Sequence, residues 1–273
     1  MKQYSRDQFL RDNPWCCYCG ATATTTDHCP PRALFWDRKW PEGYEFPACK
    51  PCNDEARPDE QLIAVLAKVW AWKHHTKTEE EYWRRQLQGL KNNQPDIMME
   101  MLADSSRNAQ RSALRRIYGD KGDDLRRLGY GVAHIGPKVR AAIDRFTIKL
   151  GKALFYKHTR KLLDGEIWHS HLSMAARPDS KKVVGILTSI APFQSAASRS
   201  GEEMHEQFIY HFNYTDGPEP ILYAVIQFSD QMMFSVLAVS KEFVQAVGGS
   251  INLPGGGNLP LQRVAAKLRN PSR

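Results

Sequence analysis

Two short cysteine pairs, Cys16-x-x-Cys19 and Cys49-x-x-Cys52, stand 29 residues apart near the start of the chain. A short knuckle lets two sulfurs reach one ion from a tight turn, and four thiolates suit tetrahedral zinc. All six cysteines, Cys17 and Cys29 included, fall within 37 residues, and none follows Cys52. A disulfide framework spreads through a short secreted domain; a cluster like this one reads instead as a metal site. Cys17 is an alternative to Cys16, although one intervening residue makes a poor knuckle, and Cys29 reads as a small apolar filler. Zinc with four sulfur ligands has no open position, so it is structural and any chemistry must lie elsewhere. A small hairpin unit has little core, so the ion is expected to supply much of its folding free energy.

The segment between the knuckles carries Asp27-His28-Cys29-Pro30-Pro31-Arg32, and Asn53 directly follows the second knuckle. The clip therefore draws distant polar groups together. Neighbouring side chains on a strand point to opposite faces, so the backbone must bend if Asp27 and His28 are to serve one site. Pro30-Pro31 favours a bend just after them.

In the pieces CCYCG, TDHCPPRALF and PACKPCNDEARPDEQ the chain resembles the HNH, or His-Me finger, nucleases, most of all the zinc-clipped subgroup. The resemblance covers about residues 14–62. It implies a metal-dependent DNA endonuclease leaving 5′-phosphate and 3′-hydroxyl ends, with His28 as general base. It further implies Mg²⁺ or Mn²⁺ on Asp27, with Asn53 as second ligand or as the group that orients the loop. Histidine, often found at the third position of the family name, does not occur between His28 and His74. Glu60 or Asp59 stands where that ligand would come, as a metal ligand or behind one. First-turn acids favoured by a helix dipole are the other reading of this pair. Arg32 and Arg57 flank the site and are candidates to clamp phosphate. Trp36 and Trp40 are candidates to stack on bases or to pack in the core. Family analogy adds a setting in defence against foreign DNA, with other components of such a system as partners. A non-catalytic zinc-dependent nucleic-acid-binding protein and a ribonuclease with the same site are the rival readings.

The expected class is α+β: an N-terminal zinc-clipped ββα-metal nuclease module, a helical middle region and a C-terminal antiparallel sheet domain. The boundaries read as 1–60 for the module, 61–165 for a basic helical scaffold, 166–247 for a β-rich unit and 248–273 for a flexible basic tail. From Ser105 to Gly165 the net charge is +10, against +8 for the whole chain. A concentrated basic excess suits a polyanion, because its binding releases condensed counterions. Arg111, Arg115 and Arg116 are the candidates for contact with a DNA backbone, which positions a protein without reading sequence. No apolar run approaches the ~20 residues of a membrane span, and no leader is visible, so a cytoplasmic protein without membrane contact is expected.

Periodicity places helices after Pro58 (Leu62, Val65, Leu66, Val69 and Trp70 on one face) and from Glu79 to Lys91, opened by a Thr78–Glu81 capping box. Further helices are expected over Asp96–Ala103, over Ser106–Ile117 and from Pro137 towards Gly165, with Gly119–Gly136 as a loop. Strands are expected at Gly43–Phe46, Val183–Ile190, Gln207–Tyr214, Ile221–Phe228 and Met232–Val239, and a closing helix over Lys241–Val247. His74-His75 read as solvated. His169 and His171 alternate on a possible strand and raise the question of a second metal site. Trp70, Trp72 and Trp83 read as core.

Overall fold

The computed structural model describes residues 5–68, 76–103, 106–127, 131–173, 180–195, 197–229, 232–246 and 262–266. Val69, Trp70, Trp72, His74 and His75 lie outside the described residues. No described helix is long and apolar enough to cross a membrane.

The first elements are short. α1 (Arg6–Asp12) is capped by the Ser5 hydroxyl, which accepts from the Gln8 amide at 3.2 Å. The first knuckle turns tightly, with the Gly20 amide on the Cys16 carbonyl at 2.9 Å and Gly20 itself at φ 76°. β1 (Thr25–His28) then pairs antiparallel with β2 (Glu45–Ala48), setting Asp27 opposite Phe46 and His28 opposite Glu45. Between them the chain makes short 3-10 turns at Arg32–Leu34 and Trp36–Arg38.

α2 (Lys50–Leu66) begins at the second knuckle, well before Pro58. Pro51 sits in the first turn, where a missing N–H costs nothing. Pro58 lies inside the helix and forfeits one backbone bond. Burial of Leu62 to Leu66 against the core offsets that loss, and the Pro58 carbonyl accepts from Gln94 Nε2 at 2.8 Å. α3 (Lys77–Asn93) opens with a capping box two residues earlier than its sequence suggests, formed by Thr76 and Glu79. α4 (Pro95–Met101) and α5 (Arg107–Tyr118) follow as expected. The glycine-rich stretch after them is not all loop. It contains α6 (Lys121–Arg127), where Gly122 passes so close to Leu114 that a Cβ would meet its carbonyl at 2.6 Å.

α7 (Pro137–Thr159) is the central strut. It ends at Arg160 in the left-handed conformation, earlier than Gly165. One side packs on α2, and the other lies on a six-stranded antiparallel sheet of order β10-β3-β9-β8-β7-β4. The sheet comprises β3 (Gly165–Ser173), β4 (Phe193–Gln194), β7 (Phe208–Thr215), β8 (Ile221–Phe228), β9 (Met232–Ser240) and β10 (Gln262–Ala266). Two-residue strands β5 (Ser198–Arg199) and β6 (Glu202–Glu203) make a separate hairpin, and α9 (Lys241–Ala246) closes β9. Val183–Ile190, expected as a strand, falls largely in a helix, α8 (Ser180–Ser189). β-Branched content is a weak preference that context overrides, and here the Thr188 hydroxyl bonds the Val184 carbonyl one turn back. β10 is an edge strand on β3, within the segment expected to be a flexible tail.

Buried apolar side chains form one connected cluster from Cys16 to Ala238, with Phe146 of α7 among Phe228 and Phe234 at 6.2 and 5.7 Å between ring centres. At Gly151 the helix backbone approaches the sheet so closely that a Cβ would lie 2.7 Å from Val236 Cγ1. Gly151→Ala is therefore expected to destabilise the chain by about 1–3 kcal/mol through overpacking. Urea unfolding should show Val236→Ala recovering part of that loss, and an unchanged midpoint in Gly151→Ala would contradict the close approach.

Candidate metal clip and the two faces of the hairpin

The sulfurs of Cys16, Cys19, Cys49 and Cys52 all lie within 4.8 Å of one another. Cys19 and Cys49 stand 3.6 Å apart, close to the ~3.8 Å edge of a tetrahedron with Zn–S bonds near 2.3 Å. The donor set therefore fits a structural zinc, which would join the first turn, β2 and the start of α2. Cys16 is pulled down to about 5, chiefly by its hydrogen bond with Cys52, so one sulfur of the group ionises readily. Cys17 and Cys29 are buried outside the group, and burial holds both thiols up, as fits apolar fillers. Lys152 lies beside the clip with its ammonium on the Tyr18 carbonyl at 2.7 Å, where it would oppose the net negative charge of four thiolates around one divalent ion.

Strand alternation separates Asp27 from His28. Asp27 points inward and is 4% exposed. Its Oδ2 accepts from the Tyr18 hydroxyl at 2.6 Å and from the Lys149 ammonium at 2.7 Å. The same ammonium bonds Glu60, and Asp59 receives both Nε and Nη2 of Arg145 at 2.8 and 2.7 Å. Asp59 and Glu60 thus sit in the middle of α2, not in a first turn, and each faces a cation from α7. Burial alone would lower Lys149, but Asp27 and Glu60 outweigh it and keep the ammonium charged. One positive charge cannot fully offset two carboxylates, and burial pushes Glu60 up to about 7.

This arrangement corrects the expectation of a divalent ion on Asp27. The residues do not fit Mg²⁺ or Mn²⁺ as they stand, because Lys149 already fills the space between Asp27 and Glu60. Asn53 lies half-buried in the first turns of α2.

His28 faces the other way, among partners that Asp27 does not share. Its Nε2 is 2.7 Å from Arg32 Nη2 and 3.3 Å from Glu45 Oε1. The bend expected at Pro30-Pro31 comes after the pair and brings Arg32 back over His28, not His28 towards Asp27. The edge of the imidazole meets the Trp40 ring at 4.8 Å and 85°. Arg32 and Arg199 place their guanidinium carbons 3.6 and 4.0 Å from the same indole. Two guanidiniums cannot share one face at those distances, so Trp40 is held between them. Arg199 also donates to the Trp40 carbonyl at 3.0 Å, and Ser200 N–H bonds Glu42 at 3.1 Å. The β5–β6 hairpin thereby completes this face, with Arg199 standing 159 residues beyond Trp40 in sequence. Burial and then Arg32 lower His28, with Glu45 opposing, so the imidazole is neutral near neutral pH. A guanidinium only donates, so the short contact leaves Nε2 as acceptor and the proton on Nδ1.

Three of the remaining arginines make local pairs. Arg57 bonds Asp54 at 2.9 Å. Arg111 and Arg115 both reach Asp123, the first at 3.5 Å, while Arg116 is exposed. Trp36 packs edge-on to Tyr82 at 5.8 Å, and Trp83 donates to the Val65 carbonyl at 3.4 Å.

No protein-family model, no curated protein and no solved structure matches the chain.

Sequence reasoning missed Lys149, Arg145, Lys152, Tyr18, Glu45 and Arg199. Arg145, Lys149 and Lys152 are spaced four and three residues apart, which puts three cations on one face of a helix. That spacing was readable, and only its acidic partners were hidden. Nothing local in the sequence links Arg199 to Trp40.

Stripping the metal with a strong chelator is expected to expose backbone amides from Cys16 to Asn53 more than those of β7–β9. Hydrogen exchange read by mass spectrometry would check this, and protection unaffected by chelation would remove the structural role of the ion. Folding raises Glu60 above its ordinary value, so its contribution to stability is full below about pH 4.5 and is lost as pH rises through about 7. Relative to Glu60→Gln, the wild type should lose up to about 3 kcal/mol between pH 5 and 8. Denaturant titrations at several pH values would show parallel profiles if Glu60 were an ordinary carboxylate.

Proposed function

We propose that the chain hydrolyses phosphodiester bonds in DNA at the outward face of β1, with His28 as general base. The observation that carries this reading is the imidazole whose Nε2 lies 2.7 Å from Arg32, itself stacked with Arg199 on Trp40. Two guanidiniums fixed by an aromatic ring suit the two free oxygens of a phosphodiester. As Arg32 turns from the imidazole to the phosphate, it uncovers the Nε2 lone pair. His28 then takes a proton from the attacking water, a transfer matched to neutral pH. The guanidiniums meet the charge that builds on the phosphorane; the bond from phosphorus to the 3′ oxygen then breaks, and that oxygen takes a proton from solvent while His28 later returns its own to water. Asp27 holds Lys149 on the far side of the strand, and no step is assigned to a divalent ion.

A second reading is favoured by one contact, Glu45 Oε1 at 3.3 Å from the same Nε2. A carboxylate and an imidazole side by side suit a ribonuclease, in which His28 takes the 2′-hydroxyl proton and hands it on to the leaving 5′ oxygen while Glu45 steadies the imidazolium formed between the two steps.

The test is supercoiled plasmid and a matched RNA incubated with the full chain in Mg²⁺, in Mn²⁺ and in EDTA. Plasmid nicking or linearisation is expected, reduced about 100-fold or more in His28→Ala, with a smaller loss in Arg32→Ala. Cleavage of RNA alone would transfer the site to the ribonuclease reading. Equal cutting by wild type and His28→Ala, or binding that leaves both polymers intact, would remove hydrolysis at His28.

A further inference from the structure

His169 lies in the middle of the sheet on β3 and is completely buried, and neither of its ring nitrogens has a hydrogen-bond partner. Asp144 Oδ1, on α7, is likewise buried and unpartnered. An unsatisfied buried polar atom destabilises the fold that holds it, and three of them on two facing side chains call for a ligand. They face one another: Asp144 Oδ1 is 3.9 Å from His169 Nδ1 and 4.0 Å from His171 Nδ1.

The topology explains why they meet. Ile167, His169 and His171 alternate onto the face of β3 that α7 covers. Ile167 reaches towards Gly151, within 3.6 Å of where a Cβ would stand. Asp144 lies two helical turns before Gly151 on the same side of α7, which brings it alongside the two histidines. This cluster is separate from the clip and from the hairpin faces.

We infer that Asp144, His169 and His171 form a second metal site, taking a borderline divalent transition metal such as zinc. Two imidazoles spaced His-x-His on one strand, with a carboxylate from a facing element, supply three donors of the right softness. Tetrahedral zinc needs nitrogen and oxygen donors about 3.3 Å apart; the three donors do not all lie within 4.8 Å of one another, so Asp144 and both imidazoles must turn towards one centre to bind an ion. Nitrogen donors disfavour Mg²⁺ and Ca²⁺, which take oxygen. The side chains of His171 and Asp144 are each 20% exposed, so solvent reaches the cluster and a water completes the fourth position. Unlike the four-sulfur clip, this site keeps a coordination place open to a small ligand.

The test strips the full chain of metal and titrates it with Co²⁺ and, separately, Zn²⁺, reading stoichiometry by elemental analysis and cobalt absorption. Wild type should take up two equivalents, one with the intense cobalt–thiolate band and one with only weak visible bands. His171→Ala and Asp144→Asn should each fall to one equivalent and keep the thiolate band unchanged. His169→Leu, which fills the buried position with an apolar group, should do the same and stay folded without metal. A single equivalent in wild type, or a second equivalent that survives all three substitutions, would overturn the site.

Discussion

The Lys149 ammonium, sunk between Asp27 and Glu60, ties together β1, α2 and α7. Each belongs to a different stretch of the chain, and each would otherwise bury charge without compensation. Removing one partner of a buried pair leaves the others stranded at a cost of about 3–5 kcal/mol. That penalty makes the relation between hairpin and strut a matter of specificity as much as of stability. The Arg145–Asp59 fork beside it fixes the rotation of α2 against α7, and the sulfurs of the clip hold the other end of the same helix.

The same interaction decides what the hairpin presents. With Asp27 turned inward and neutralised, the outward face is left to His28, Arg32, Glu45 and Trp40. A strand offers two sides, and here one serves cohesion while the other gathers an imidazole, a guanidinium, a carboxylate and an indole. The sequence motif places Asp and His together in one reaction, but the ladder between β1 and β2 is regular through both residues and separates them.

The local parts of this structure were legible from residues alone. The four clip sulfurs follow from spacing, and the three long strands β7, β8 and β9 from β-branched and aromatic runs between turn residues. α7 follows from Pro137 and an apolar stripe. What escaped was tertiary. Pro58 looks like a boundary, yet α2 runs through it because Leu62 to Leu66 are buried on the far side. Val183 to Ile190 looks like strand, yet its hydroxyl residues bond backwards along a helix. Asp59 and Glu60 look like metal ligands until the cations of α7 are seen opposite them, and the pairing of Trp40 with Arg199 crosses most of the chain.

That last pairing has a temporal consequence. Arg199 and the Ser198 carbonyl, which receives the Glu42 amide at 2.9 Å, leave the ribosome long after the hairpin they brace. A nascent chain that has emerged only as far as the end of α7 carries its clip residues and His28, but one side of the indole is bare. Such a protein acquires the second guanidinium on Trp40 only when synthesis has passed residue 199, so ripening of the outer face is timed by translation itself.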